Sequence, residues 1–158
     1  MAEIKLYREY RLKFYLNARH YIIIGGEKGE VHPHTWEYAL NIKFGQDEFV
    51  QFSTFEKGIE KYLEKYQNRI VNEVEPFDSI LPTLENMADY LAKDMHAIIE
   101  SVGGILTRVE VSETPTRTYI LNLEEVDEFS RITVGKSQDK VNQIFDAVID
   151  EAIGSNEQ

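Results

Sequence analysis

Two runs of alternating residues constrain this chain more than any other feature. From Ile4 to Leu16 the even positions read Ile4, Leu6, Arg8, Tyr10, Leu12, Phe14 and Leu16, while the odd ones include Lys5, Glu9, Arg11 and Lys13. Successive side chains of a strand point to opposite faces, so this run predicts a long strand with one apolar and one charged face, marred only by Arg8. Gly25, Gly26 and Gly29 then mark a loop, after which the period returns in Trp36, Tyr38, Leu40, Ile42 and Phe44. The two strands are expected to pair as a hairpin.

Helical spacing supplies the cover for that apolar face. Ser53 followed by Glu56 reads as a capping box, with Phe55, Ile59, Tyr62, Leu63, Tyr66 and Ile70 as the stripe behind it. A second helix is expected from Thr83, just after Pro82, with Leu84, Met87, Ala88, Leu91, Met95 and Ile98 facing inward and a stop at Gly103 and Gly104. Two more strands follow, about Ile105 to Glu113 and Thr116 to Leu123, turned by Pro115. The fold class is therefore α+β, with two helices on one face of an antiparallel sheet. With 158 residues, 42% of them hydrophobic, one domain is the economical reading. It is taken as residues 1–123. Residues 124–158 form a C-terminal extension in which Val141, Ile144, Phe145, Val148, Ala152 and Ile153 predict an amphipathic helix ending at Gly154. Such a stripe packs on its own domain or docks on a partner or second subunit.

Charge and cysteine content narrow the function. The formal charge is −11, from 28 acidic against 17 basic residues, which opposes binding to a phosphate backbone and argues against nucleic acid as a partner. The chain has no cysteine, hence neither disulfides nor a thiolate nucleophile, which fits a cytoplasmic protein. The N-terminus lacks the apolar core of a signal peptide, and the longest apolar run, around Tyr21 to Ile24, is too short for membrane insertion.

His32 and His34 flank Pro33 at the start of a predicted strand. Residues at i and i+2 share a face, so two imidazoles can converge on one ion, with His20 supplied by the neighbouring segment. Three neutral nitrogens suit zinc and leave a fourth position for water or substrate.

Four segments then carry a resemblance: Asn17-Ala18-Arg19-His20, His32-Pro33-His34-Thr35-Trp36, Pro82-Thr83-Leu84-Glu85-Asn86 and Val111-Ser112-Glu113-Thr114. In their order and spacing, across about residues 4 to 123, the chain resembles the 6-pyruvoyl tetrahydropterin synthase and 6-carboxytetrahydropterin synthase family. The resemblance implies the tunnelling fold, a four-stranded antiparallel sheet with two helices per subunit, and a homo-oligomer whose sheets close into a barrel. It implies zinc on His20, His32 and His34, a pterin-like substrate anchored by Glu113, and Thr83 and Glu85 at the border of the pterin pocket. Thr83 and Glu85 also suit a helix N-terminus.

The departures from the family are equally specific. Its cysteine, four residues before the paired histidines, is replaced by Lys28; its aspartate-histidine dyad is replaced by Gln67 and Asn68; its glycine between the histidines is Pro33. Neither amide exchanges a proton near neutral pH. Glu27 and Glu30 flank the position of the lost cysteine and are the weak catalytic candidates, and His96 is expected to be exposed. Two functions follow: a zinc-dependent lyase with a base other than cysteine, or a binding or assembly protein that keeps the fold and the metal site.

Overall fold

The computed structural model describes residues 2–4, 6, 8–44 and 51–123. The expected C-terminal helix lies outside them. Strand β1 (Arg8–His20) pairs antiparallel with β4 (His32–Phe44), β4 with β5 (Ile105–Thr114), and β5 with β6 (Arg117–Asn122), giving the order β1-β4-β5-β6. The glycine loop expected between the first two long strands holds a small hairpin, β2 (Ile23–Ile24) and β3 (Glu27–Lys28), turned by Gly25 and Gly26 at positive φ. Helices α1 (Phe52–Leu63) and α2 (Leu84–Ser101) complete the α+β fold. None of the helices among the described residues is long and apolar enough to cross a membrane.

The core forms where alternation meets helical stripes. Phe14, Leu16 and Ala18 of β1, the even positions Trp36 to Phe44 of β4, and Leu106, Val109 and Val111 of β5 are buried together. Above them lie Phe55, Ile59 and Leu63 of α1 and the Leu84, Met87, Leu91, Met95 and Ile99 stripe of α2. Leu106 and Val109 are three apart and both point inward, which a regular strand forbids. The register shift at Asn41/Ile42 absorbs the extra residue, Thr107, whose hydroxyl donates to Asn41 O.

Three local expectations need correction. Ser53 is not a cap: α1 starts at Phe52 with Gln51 as its N-cap and has no side-chain capping bond. The α1 stripe does not run to Ile70. The helix ends at Leu63, turns follow, Asn68 sits at φ 60°, and Ile70 bridges to Arg19 beside β1. In α2 the last buried position is Ile99, with Ile98 only partly buried. The other end of α2 is as read: Thr83 is the N-cap, and its side chain accepts the Asn86 N–H at 3.2 Å.

Candidate metal centre

Three of the inward-facing rows end in groups that can bind a metal. β1 runs Phe14, Leu16, Ala18 and then His20; β4 begins His32, His34 before Trp36; β5 runs Val109, Val111 and then Glu113. The β1–β4 register sets His20 opposite His32 and Ala18 opposite His34. A second register shift, between Ser112 and Thr114, lies at Glu113 on the β5–β6 side. One ligand atom from each of His20, His32, His34 and Glu113 lies within 4.8 Å of all the others, and this group can hold a metal ion.

The hydrogen bonds fix which nitrogens face inward. His20 Nδ1 lies 2.7 Å from Pro82 O, and His32 Nδ1 lies 2.9 Å from Glu30 O. A carbonyl only accepts, so both Nδ1 atoms donate and both Nε2 atoms of the neutral rings present lone pairs. Yet His20 Nε2 lies 2.9 Å from His32 Nε2 and 3.1 Å from Glu113 Oε1, which is also 3.2 Å from His34 Nε2. With both rings neutral, no hydrogen lies between the two Nε2 atoms, and the Glu113 carboxylate, itself an acceptor, stands against His20 Nε2. A cation resolves that conflict, and the nitrogens of a tetrahedral zinc site stand about 3.3 Å apart. The residues therefore fit a metal, with backbone carbonyls orienting two of the ligands.

Burial acts in the same direction. It holds His20 and His34 below the usual histidine pKa, against the opposing charge of Glu113, and so favours the neutral form that a metal requires. His20 is buried, whereas Glu113 and His34 keep 16% and 21% of their side chains exposed, so the site opens toward solvent on that side. Trp36 braces it from below, with ring centroids 4.9 Å from His20 and 5.2 Å from His34.

The sequence matches the family described as 6-pyruvoyl tetrahydropterin synthase over residues 9–124. The chain belongs to that family. Among solved structures, the 6-pyruvoyl tetrahydropterin synthase of Caenorhabditis elegans is 15% identical with a TM-score of 0.63, covering 75% of this chain and 97% of its own. That of Plasmodium falciparum is 17% identical with a TM-score of 0.53, covering 73% and 96%. An uncharacterized protein, WS1659 from Wolinella succinogenes, is 13% identical with a TM-score of 0.56, covering 76% and 100%. At such identities these likenesses speak for the fold. A comparison with curated proteins returns no significant match.

The remaining site candidates are dispersed. Thr83 caps α2 directly after Pro82, whose carbonyl holds His20, and Glu85 is exposed in the first turn of α2. Glu27 and Glu30 are exposed, and neither carboxylate belongs to the group of four; Glu30 contributes its backbone carbonyl instead. Lys28 holds its ammonium 4.2 Å from the Tyr21 ring centroid. His96 is partly exposed and pairs with Glu100 one turn along α2. Pro33 costs the sheet nothing visible. Its partner Arg19 gives its N–H to Arg69 O, away from β4, and the β4–β5 pairing starts only at Glu37.

Sequence reasoning missed the backbone acceptors Pro82 O and Glu30 O, and it missed the bonds that Gln67, Asn68 and Asn72 make. Gln67 Oε1 accepts the Asn17 N–H at 2.9 Å and its Nε2 donates to Tyr15 O at 2.8 Å. Asn68 N donates to Asn17 O, and the Asn72 side chain bonds both N and O of Tyr21 at 2.9 Å. The segment 67–72 thus clamps the outer edge of β1. Gln67→Ala is expected to lower stability by about 1–3 kcal/mol through two lost backbone bonds, leaving zinc content unchanged. Urea denaturation and metal analysis of the variant check this.

Proposed function

We propose that this chain binds zinc through His20, His32 and His34 and acts as a lyase on a pterin-like bicyclic substrate. The observation that carries the reading is the set of inward-turned imidazole acceptors beside one carboxylate, at the open end of the core. When bound, zinc supplies a Lewis acid that makes protons on an adjacent substrate side chain easier to remove. Glu113 offers a two-oxygen acceptor of the kind required by the amino group and ring nitrogen of a pterin edge. Its Oε1 lies 3.1 Å from His20 Nε2 and 3.2 Å from His34 Nε2, beside the residues that would hold the metal. The base would be Glu27 or Glu30, since the chain has no cysteine. Support for a carboxylate comes from the Plasmodium vivax synthase, in which a glutamate is a catalytic residue. Assembly into a homo-oligomer in the cytoplasm belongs to the same proposal.

One observation favours the second reading, a binding or assembly protein that performs no turnover. Gln67, at a dyad position, is committed to the β1 backbone and has no proton to exchange. Chromatography of the products formed from dihydroneopterin triphosphate separates the two: a new pterin product supports the lyase, and zinc-loaded protein that leaves the substrate intact supports the binding role.

Glu113→Gln tests the ligand itself. The amide replaces one acceptor by a donor, and affinity for neopterin measured by calorimetry is expected to fall roughly ten- to a hundredfold. Zinc content should stay the same. Loss of zinc instead would make Glu113 a fourth metal ligand and remove it from the pterin site.

A further inference from the structure

The two helices meet along a seam that carries one acid. At Gly58 of α1 an added Cβ would lie 3.2 Å from Ile98 Cγ2 of α2, so the helices approach closely there. Four residues on in α1 and four back in α2, the same seam sets Tyr62 against Asp94. The Tyr62 hydroxyl donates to Asp94 Oδ2. Beyond them Tyr66 is buried, with its ring edge-on to Tyr62 and the centroids 6.1 Å apart.

Asp94 has few partners for a charge. An ionised carboxylate offers about four acceptor sites, and the Tyr62 hydroxyl is its one donor among the described residues, where it forms no ion pair. The nearby cations face rings instead: Lys65 Nζ, from the turn after α1, lies 5.2 Å from the Tyr66 centroid, and Lys93 Nζ lies 5.3 Å from that of Tyr90. Burial raises the Asp94 carboxyl above the usual aspartate range, against the opposing pull of the Tyr62 hydroxyl and of Lys65 and Lys93. Burial also pushes both phenols up, Tyr66 to about 12, so neither tyrosine ionises first. A protonated Asp94 sheds the charge and still accepts from Tyr62 through its carbonyl oxygen.

We propose that Tyr62 and Asp94 form an acid-tightened latch between α1 and α2, closed when Asp94 is protonated and loosened when it is charged. The latch stands at the base of the connection 64–83, which carries the β1 clamp and Pro82 O, and it holds whether or not a metal binds. A carboxyl raised on folding adds stability below the ordinary aspartate pKa and loses that contribution as pH rises through the raised value. The test is urea denaturation of the full-length, chelator-stripped protein and its Asp94→Asn variant from about pH 8 to about pH 4, a range that brackets carboxylate titration. The amide is neutral throughout and still accepts from Tyr62. Asp94→Asn is expected to unfold at higher urea than the unaltered protein at the alkaline end, with the excess shrinking as pH falls. Carbon-13 spectroscopy of labelled aspartates reads the Asp94 carboxyl directly, and Tyr62→Phe, which removes its donor, should move that titration further up. An asparagine variant no more stable at the alkaline end, an excess that ignores pH, or an Asp94 carboxyl titrating at or below the ordinary value would overturn the latch.

Discussion

His32→Ala is expected to lower zinc affinity by more than about a hundredfold, since residues that only hold a ligand in place are already worth 10–100-fold. His32 supplies one of the two lone pairs that face each other at 2.9 Å, and its own orientation is fixed by Glu30 O. The alanine removes one nitrogen and leaves His20, His34 and Glu113 in place, so the fold should survive and the metal should not. Mass spectrometry of the purified, tag-free protein and competition with a chromogenic chelator measure the effect. Retention of stoichiometric zinc in this variant would refute the site. Zinc affinity of the unaltered protein should also fall as pH drops, because protonated imidazoles cannot bind a metal. Burial delays that loss at His20 and His34 to values below the ordinary histidine pKa.

Trp36→Ala should cost about 3–5 kcal/mol, the range for emptying a large aromatic site in a close-packed core. Trp36 is wholly buried, lies between the core and the imidazoles, and is edge-on to both His20 and His34. Its removal creates a void directly beneath the metal ligands, so zinc affinity should fall together with the midpoint of urea denaturation. Trp36→Phe sharpens the prediction. The indole Nε1 is buried and meets no acceptor among the described residues, so the phenyl ring forfeits no hydrogen bond and should cost far less than alanine. A phenylalanine variant as unstable as the alanine one would show that the indole N–H, and not ring volume, holds the site together.

The legible parts of this chain are those in which one periodicity governs many residues. Alternation located β1 and β4, and it placed His32 and His34 on one face because the period of a strand is two. Helical spacing and Thr83 located the start of α2. The failures lie where the backbone, not the side-chain pattern, decides. Tyr66 is buried and Ile70 half-buried at helical spacing from Leu63, yet the chain has left the helix by then and turned along β1. Ser53 and Glu56 fit the capping pattern, but the chain enters α1 two residues ahead of it. At the centre itself, the convergence of the three histidines was readable from spacing and resemblance, whereas Glu113 was read only as a pterin anchor and stands in the same group of four. The carbonyls that orient His20 and His32 were not readable, since every residue carries one and only the fold selects Pro82 and Glu30.

The clamp along β1 also governs how this sheet can grow. A strand at the end of a sheet offers a row of unpaired amides and carbonyls to any neighbour. Here the outward groups of Tyr15, Asn17, Arg19 and Tyr21 are already taken by Gln67, Asn68, Arg69 and Asn72. Among the described residues, a strand arriving on that side meets no such partner along Glu9 to Phe14, and it must halt where the amides begin. The segment 67–72 thus acts as a stop, fixing by length alone the stagger at which another chain can join.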